Sequence, residues 1–253
     1  MYDSPAVTRA RRSCLSVPAS NPKMLAKAVH LPADQIIIDL EDSVAPTVKE
    51  EARVNALTAL GSYDFTRKTV VLRANGVQTR WCYRDIVDVV ERCGRLLDCI
   101  MIPKVRDASH VLFVANLLHM IEDSLELPRR IGIEAQIETA EGLTNVDEIA
   151  AASERLETLV FGPGDMAATL NMPHSTLGQI IDNYPGDHWH AALVRVLVAA
   201  RSHGLQVIEG PYAIIRDPDG FREVATRSRQ LGYDGKWVLH PEQIALANEI
   251  YSD

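Results

Sequence analysis

Eight short apolar, β-rich runs separated by stretches of helical periodicity constrain this chain more than any other feature. They are SCLSVP from Ser13, QIIIDLED from Gln35, TVVLRAN from Thr69, DCIMIPKV from Asp98, IGIEAQIET from Ile131, TLVFGPGD from Thr158, QVIEGPY from Gln206 and KWVLHP from Lys236. Most begin about 25 to 35 residues apart, the length of a strand, a loop, a helix and a return. Between them, Ala45 to Leu60 reads as a helix with Pro46 near its first turn and Lys49, Glu50 and Glu51 on its wet side. Asp107 to Glu122 places Val111, Val114, Ala115 and Leu118 on one face. Trp189 to His203 carries Leu193, Val196, Leu197 and Ala200 on one stripe and stops at Gly204, a natural residue to follow a helix. Pro241 to Tyr251 is the last helix, with Pro241 suited to its first turn.

Strands alternating with helices call for a parallel sheet with right-handed crossovers, and eight of them close into a barrel. The expected fold class is α/β, a (β/α)8 TIM barrel formed as a single domain by residues 1–253, a length such barrels routinely have. The wider gap after the sixth run predicts an insertion at about 170–190, between strands 6 and 7. An open doubly wound sheet is the runner-up, disfavoured because no GxGxxG turn follows the first strand.

A net charge of −8 and a pI near 5.5 argue against nucleic acid as a partner. The run Arg9, Arg11 and Arg12 is read as a solvated arm. Cys14, Cys82, Cys93 and Cys99 form no CxxC pair, which fits reduced thiols and a cytoplasmic location. The absence of a long apolar run or an apolar signal core argues against a membrane partner.

Chemistry in such barrels sits at the C-terminal ends of the strands. There the sequence places Asp39, Glu41 and Asp42, then Arg73 and Asn75, Lys104, Glu138 and Thr139, Gly162, Gly164 and Asp165, Glu209, and His240. Charged residues at seven of the eight ends suggest a polar mouth for something small and charged. Converging carboxylates repel unless a cation sits among them or their pKa values rise. Magnesium suits carboxylate oxygens and keeps positions for substrate oxygens, leaving Arg73 free to clamp a substrate carboxylate through both arms of its fork.

Each residue also has a structural reading. Glu138 could cap the next helix, Asp165 could be an N-cap, and Arg73 could pair with Glu41 or Asp42. Asp39 reads as structural, Lys104 as either a neutraliser or a substrate contact, and His240 as a strand-end or helix-entry residue. His110, His119 and His203 read as surface positions. His188 and His190 bracket Trp189 without the partners of a zinc site.

The segments RSCLSVPASNPKM, DLEDSVAPTVKEEAR, LRANGVQTRWCYRDI, MIPKV, IETAEGLTNVDEIA, FGPGDMAATL and GYDGKWVLHPEQI follow one another in order. From Arg12 to about Tyr251 the chain resembles the citrate lyase β-subunit-like family of the oxo-acid aldolase superfamily, which includes malyl-CoA and citramalyl-CoA lyases. The resemblance implies Mg2+ held by Glu138 and Asp165, and an oxo-acid carboxylate held by Arg73. It implies a catalytic neighbourhood of Arg73, Glu41 and Asp42, and substrate contacts from Gly162, Pro163, Gly164 and Lys104. It further implies a homotrimer or dimer of trimers, with acyl-CoA along the mouth. The implied reaction cleaves a 3-hydroxyacyl-CoA, such as malyl-CoA or citramalyl-CoA, into an acyl-CoA and glyoxylate or pyruvate.

Many members continue into a C-terminal lid that covers the neighbouring subunit's site and supplies an aspartate. The given sequence ends at Asp253, so a barrel without that lid is expected. Arg106 stands where the family often has an acidic residue. Two alternatives follow: a metal-dependent aldolase acting on free oxo acids, which needs no lid, and a non-catalytic oxo-acid or CoA-binding subunit.

Overall fold

The computed structural model of the chain describes residues 8–172, 178–179 and 184–252. Eight parallel strands close into a barrel in chain order. They are β1 Ser13–Pro18, β2 Gln35–Asp39, β3 Thr69–Arg73, β4 Cys99–Ile102, β5 Gly132–Ile137, β6 Leu156–Phe161, β7 Gln206–Glu209 and β8 Gly235–Val238. The barrel closes where Cys14 of β1 pairs with Trp237 of β8. β6 begins two residues before the predicted Thr158, because Glu157 sits at a register shift between β5 and β6. No helix among the described residues is long and apolar enough to cross a membrane.

The helices are α1 Pro22–Ala28, α2 Lys49–Ser62, α3 Cys82–Cys93, α4 Ala108–Ser124, α5 Ala140–Thr144, α6 Val146–Ala150, α7 Pro163–Thr169, α8 His190–Ser202, α9 Pro218–Leu231 and α10 Pro241–Ile250. Local chemistry sets their ends. Asp107 caps α4 through Ser109 N–H at 2.8 Å. Gly204, after α8, takes a left-handed φ of 69° that a Cβ would oppose. The insertion expected at about 170–190 falls partly on 173–177 and 180–183, outside the described residues.

Alternation along the strands sorts two apolar layers. Ile36, Ile38, Leu72, Ile100, Leu159, Val207 and Val238 pack outward against the helices. Cys14, Ile37, Val71, Cys99, Met101, Val160, Ile208 and Trp237 fill the interior. Interior positions two residues further along each strand reach the C-terminal mouth; those two residues back form the floor.

The floor corrects the expectation of a solvated arginine arm. Arg11 is 1% exposed. Its guanidinium donates to Gln35 Oε1 at 3.1 Å, Glu134 Oε1 at 2.9 Å and Glu157 Oε2 at 2.8 Å, and to Gln206 Oε1. Arg9 joins Glu157 and Asp98, each at 2.8 Å. These strand-start carboxylates and amides need a buried cation, and the segment before β1 supplies it.

Three further side chains differ from expectation. Lys49 is buried, donating to the carbonyls of Leu40 and Glu41 at 2.8 and 2.7 Å. His110 is buried near the start of α4, whereas His119 and His203 are exposed. Glu209 lies outside the mouth, as described below.

Candidate functional site

At the end of β3, Arg73 points inward with Val71 two residues before it. It is 6% exposed and ringed by acids. Its Nε and Nη2 donate to the two oxygens of Asp39 at 2.7 and 2.6 Å. Nη1 lies 3.3 Å from Glu41 Oε2, and the guanidinium carbon stands 4.8 Å from the centre of the Trp237 ring. One edge of the fork is therefore held by Asp39, which corrects the expectation of a wholly free clamp. The structural pairing weighed for Arg73 exists alongside any ligand role, with Asp39 as the principal partner. Burial opposes ionisation of Asp39, but Arg73 and Ser43 hold its carboxyl below the ordinary range.

The loop after β2 carries Glu41 and Asp42. Lys49 fixes its carbonyls, and Asp39 Oδ1 accepts from Glu41 N–H at 2.8 Å. Glu41 and Asp42 are pushed in opposite directions. Burial raises the Glu41 carboxyl, helped by the charge of Asp42 and opposed by Arg73 and Lys104. For Asp42 burial is outweighed by Lys104, and its carboxyl is lowered.

Lys104, just past β4, is the hub. Its backbone adopts a left-handed φ of 53°, a conformation costing a non-glycine residue roughly 1–2 kcal/mol. That turn aims its N–H at Glu138 Oε1, 2.7 Å away. Its Nζ meets Glu41 at 2.5 Å, both Asp42 oxygens at 3.1 Å and Asp165 at 2.9 Å.

Glu138 follows β5 and is 2% exposed. Its second oxygen accepts from Gln136 Nε2 at 2.7 Å. Thr139 rather than Glu138 caps the next helix, through Gly142 N–H at 3.0 Å. Burial pushes the Glu138 carboxyl up to about 8; Lys104 and Arg73 pull it down, while Asp165 and Glu41 add repulsion. Gly162 lies against it: a Cβ there would stand 2.5 Å from Glu138 Cβ and 2.6 Å from its Oε2.

Asp165 sits in the first turn of α7, which Gly162 caps without a side-chain bond. The capping role considered for Asp165 is thus not used, and its side chain is 35% exposed toward Lys104. Pro163 and Gly164 complete the turn between Gly162 and Asp165.

The structure therefore joins Arg73, Glu41, Asp42, Lys104, Glu138 and Asp165 in one network. Glu209 is excluded. It shares the outward direction of Val207, and its Oε2 accepts from Lys236 Nζ and Ser228 Oγ, each at 2.7 Å, under α9 and α10. Asn75 is tied to Asp85 through its backbone and side-chain N–H groups. His240 caps α10, accepting from Glu242 N–H at 3.3 Å. The Arg106 carbonyl accepts from Asn145 Nδ2 at 2.9 Å. Sequence reasoning missed Trp237 and Lys49. The aromatic on the strand before HP and the lysine ten residues after Asp39 were the available signals.

The donor set fits a hydrated dication. Acids outnumber bases at the mouth, Glu138 is a buried carboxyl that ionises reluctantly, and Gln136 Oε1 is a buried acceptor with no partner among the described residues. No group of three or more His, Cys, Asp or Glu among the described residues forms a closed metal cage. Magnesium needs none, being held by one or two carboxylates plus water and substrate oxygens.

Comparison with known proteins agrees over nearly the whole chain. An L-malyl-CoA/beta-methylmalyl-CoA lyase of Cereibacter sphaeroides is 40% identical over 257 residues, covering 98% of this chain and 81% of that protein. A (3S)-malyl-CoA thioesterase of the same species is 37% identical over 243 residues, covering 95% and 77%. A solved citrate lyase beta subunit from M. tuberculosis, complexed with oxaloacetate and magnesium, superposes with a TM-score of 0.79 at 27% identity, covering 96% and 98%. Another M. tuberculosis structure, of protein CitE with magnesium, acetoacetate and coenzyme A, has a TM-score of 0.78 at 28% identity, covering 96% and 82%. With its family model matching from residue 12 to residue 241, the chain belongs to the HpcH/HpaI aldolase/citrate lyase family.

Proposed function

We propose that this protein is a magnesium-dependent carbon–carbon lyase that cleaves a 3-hydroxyacyl-CoA, of the malyl-CoA or citramalyl-CoA type, into an acyl-CoA and a small oxo acid. The observation that carries this reading is the convergence of Glu138 and Asp165 on Lys104, through its N–H and its ammonium, in the same network as Arg73. Glu138 and Asp165 are the metal ligands. Bound magnesium supplies a Lewis acid that polarises the substrate's oxygens.

The chain's own residues do the rest. Arg73, pre-set by Asp39 and Trp237, presents its remaining donors to the oxo-acid carboxylate. The turn Gly162–Pro163–Gly164 shapes the wall beside Glu138. Lys104 lowers the charge of the acidic cluster and faces the substrate. C–C cleavage requires the substrate's 3-hydroxyl to give up its proton and leaves an acyl-CoA enolate whose carbon takes one up, so one group can accept the first and return it as the second. Glu41, raised by burial while neighbouring Asp42 is lowered, is the proton carrier, and Asp42 keeps the charge that holds Lys104. Arg80 stacks on Trp81 at 5.0 Å and Arg84 on Tyr83 at 5.1 Å in the segment after β3. Cation and aromatic surface together suit the phosphates and base of CoA.

The test is an assay of purified protein with Mg2+ and malyl-CoA or citramalyl-CoA. Release of glyoxylate or pyruvate is expected, with condensation in reverse. Neither occurring with any such ester would overturn the lyase reading. The thioesterase relative makes the free thiol a necessary second readout, since thiol without oxo acid would mark thioester hydrolysis. Cleavage of free hydroxy-oxo acids in preference to esters would support the aldolase alternative, and oxo-acid binding without turnover a binding subunit.

The same reading includes a homotrimer or dimer of trimers in the cytoplasm. Exposed Leu112, Phe113 and Met120 along α4 supply apolar surface for self-association. Four free, buried cysteines suit a reducing compartment. Sedimentation would read the assembly, and a monomer at micromolar concentration would contradict it.

A further inference from the structure

Lys104 acts on the acidic cluster in two opposed ways. Its backbone N–H donates to Glu138 Oε1 at 2.7 Å and so favours the ionised ligand. Its ammonium, however, lies 2.9 Å from Asp165 Oδ2 while also meeting Glu41 and Asp42. Three ammonium hydrogens facing three carboxylates are fully engaged. The contact is built: the left-handed backbone at Lys104 persists only where its surroundings hold it.

Resting on the magnesium reading above, we propose that Lys104 is a tethered cation that competes with the metal for Asp165. Asp165 then has two possible cationic partners, the ammonium and the dication, and these repel each other when they share it. Glu41 and Asp42 provide the alternative seat. They already touch Nζ at 2.5 and 3.1 Å, so the ammonium can leave Asp165 without losing its other partners. Lys104 thereby sets the affinity for magnesium below what two carboxylates alone would give. An anionic substrate, adding negative charge and oxygen ligands, offsets the repulsion, which makes metal and substrate binding mutually supportive.

The test compares the metal-free wild-type chain with Lys104→Met and Lys104→Arg, using Mg2+ calorimetry and Mn2+ as a paramagnetic probe. Methionine keeps the backbone N–H and all but the last atom of the side chain's length while removing the charge. Lys104→Met should bind either metal at least about tenfold more tightly, the effect of a unit charge roughly 6 Å from a dication even under water-like screening. Lys104→Arg should return the affinity to near wild type. A merely structural lysine predicts the reverse, a weaker site when its carboxylates spread apart. Equal or weaker binding by Lys104→Met would overturn the proposal. A second measurement needs no change at this position: with 15N at the lysine Nζ atoms, the Lys104 signal should shift as Mg2+ is added and saturate with the binding isotherm. A signal that does not move would also overturn it. Mg2+ binding that is absent from the wild type, or unaffected by Glu138→Gln, would instead overturn the magnesium reading, and this proposal with it.

Discussion

Glu138 concentrates the physics of the site in one carboxyl. Burial pushes it up to about 8 against the pull of Lys104 and Arg73. Because the folded value lies above the ordinary carboxylate range, folding takes up a proton between the two. This group's contribution to stability is fully present below the ordinary range and is lost as pH rises through about 8. In its proposed role as a metal ligand Glu138 must be deprotonated, so Mg2+ affinity should rise with pH by up to about tenfold per unit below that value and level off above it. Calorimetric titrations at several pH values check this, and a flat profile would remove Glu138 from the ligand set. Gly162 is the matching constraint from the next strand. Gly162→Ala forces a Cβ to 2.5 Å from Glu138 Cβ, which should cost about 1–3 kcal/mol of stability. It should also weaken Mg2+ binding by displacing the carboxylate. Thermal unfolding and metal titration of the same sample would separate the two effects, and unchanged affinity would show that the wall yields instead of the ligand.

At the scale of elements, the runs of apolar residues located the starts of all eight strands to within two residues, since buried parallel strands and periodic helices leave distinct patterns, while the polar strand ends carried every run but the first past the observed end of its strand. Which way each strand-end residue points was not legible. Strands covered on both faces are apolar throughout, so the pattern carries no parity. That is why Glu209 read as a mouth residue, although it shares the outward direction of Val207 and pairs with fully buried Lys236. Asp39, Arg73 and Glu138 pointed correctly into one mouth, but that Arg73 already has Asp39 as partner depends on the register between β2 and β3. The Glu209 assignment has a direct test. Lys236→Met strands a buried carboxylate and should cost about 3–5 kcal/mol, measured by urea unfolding. Mg2+ affinity of the folded variant should stay within about twofold, because Glu209 and Lys236 lie on the outer side of the barrel wall, away from the mouth. A large change in affinity would place Glu209 back at the mouth.

Across the whole molecule the barrel is polar at both ends and apolar between. Cys14, Ile37, Val71, Met101, Val160, Ile208 and Trp237 form the dividing layer. The mouth holds an excess of carboxylates that a dication can balance; the floor holds carboxylates balanced by arginines of the chain itself. The floor was illegible because a run of arginines ahead of the first strand looks like a solvated arm. The acceptors Gln35, Glu134, Glu157 and Gln206 are scattered over four strand starts and meet only when the barrel closes. Arg11 therefore joins the N-terminal segment to strands far apart in sequence, and its loss should be felt globally. Arg11→Met leaves Glu134, which is fully buried, without its cation and should cost about 3–5 kcal/mol near neutral pH. Burial already raises the Glu134 carboxyl against the pull of Arg11; without Arg11 it rises further, so the variant protonates there more readily. Its stability deficit should then shrink as pH falls, because the neutral acid no longer needs a cation. Adding Glu134→Gln to Arg11→Met should recover part of the loss at neutral pH and flatten that pH dependence. Urea midpoints for wild type, the single variant and the double variant across the acid range measure all three effects. A deficit that is the same at every pH would mean that Arg11 holds the floor by packing, not by charge.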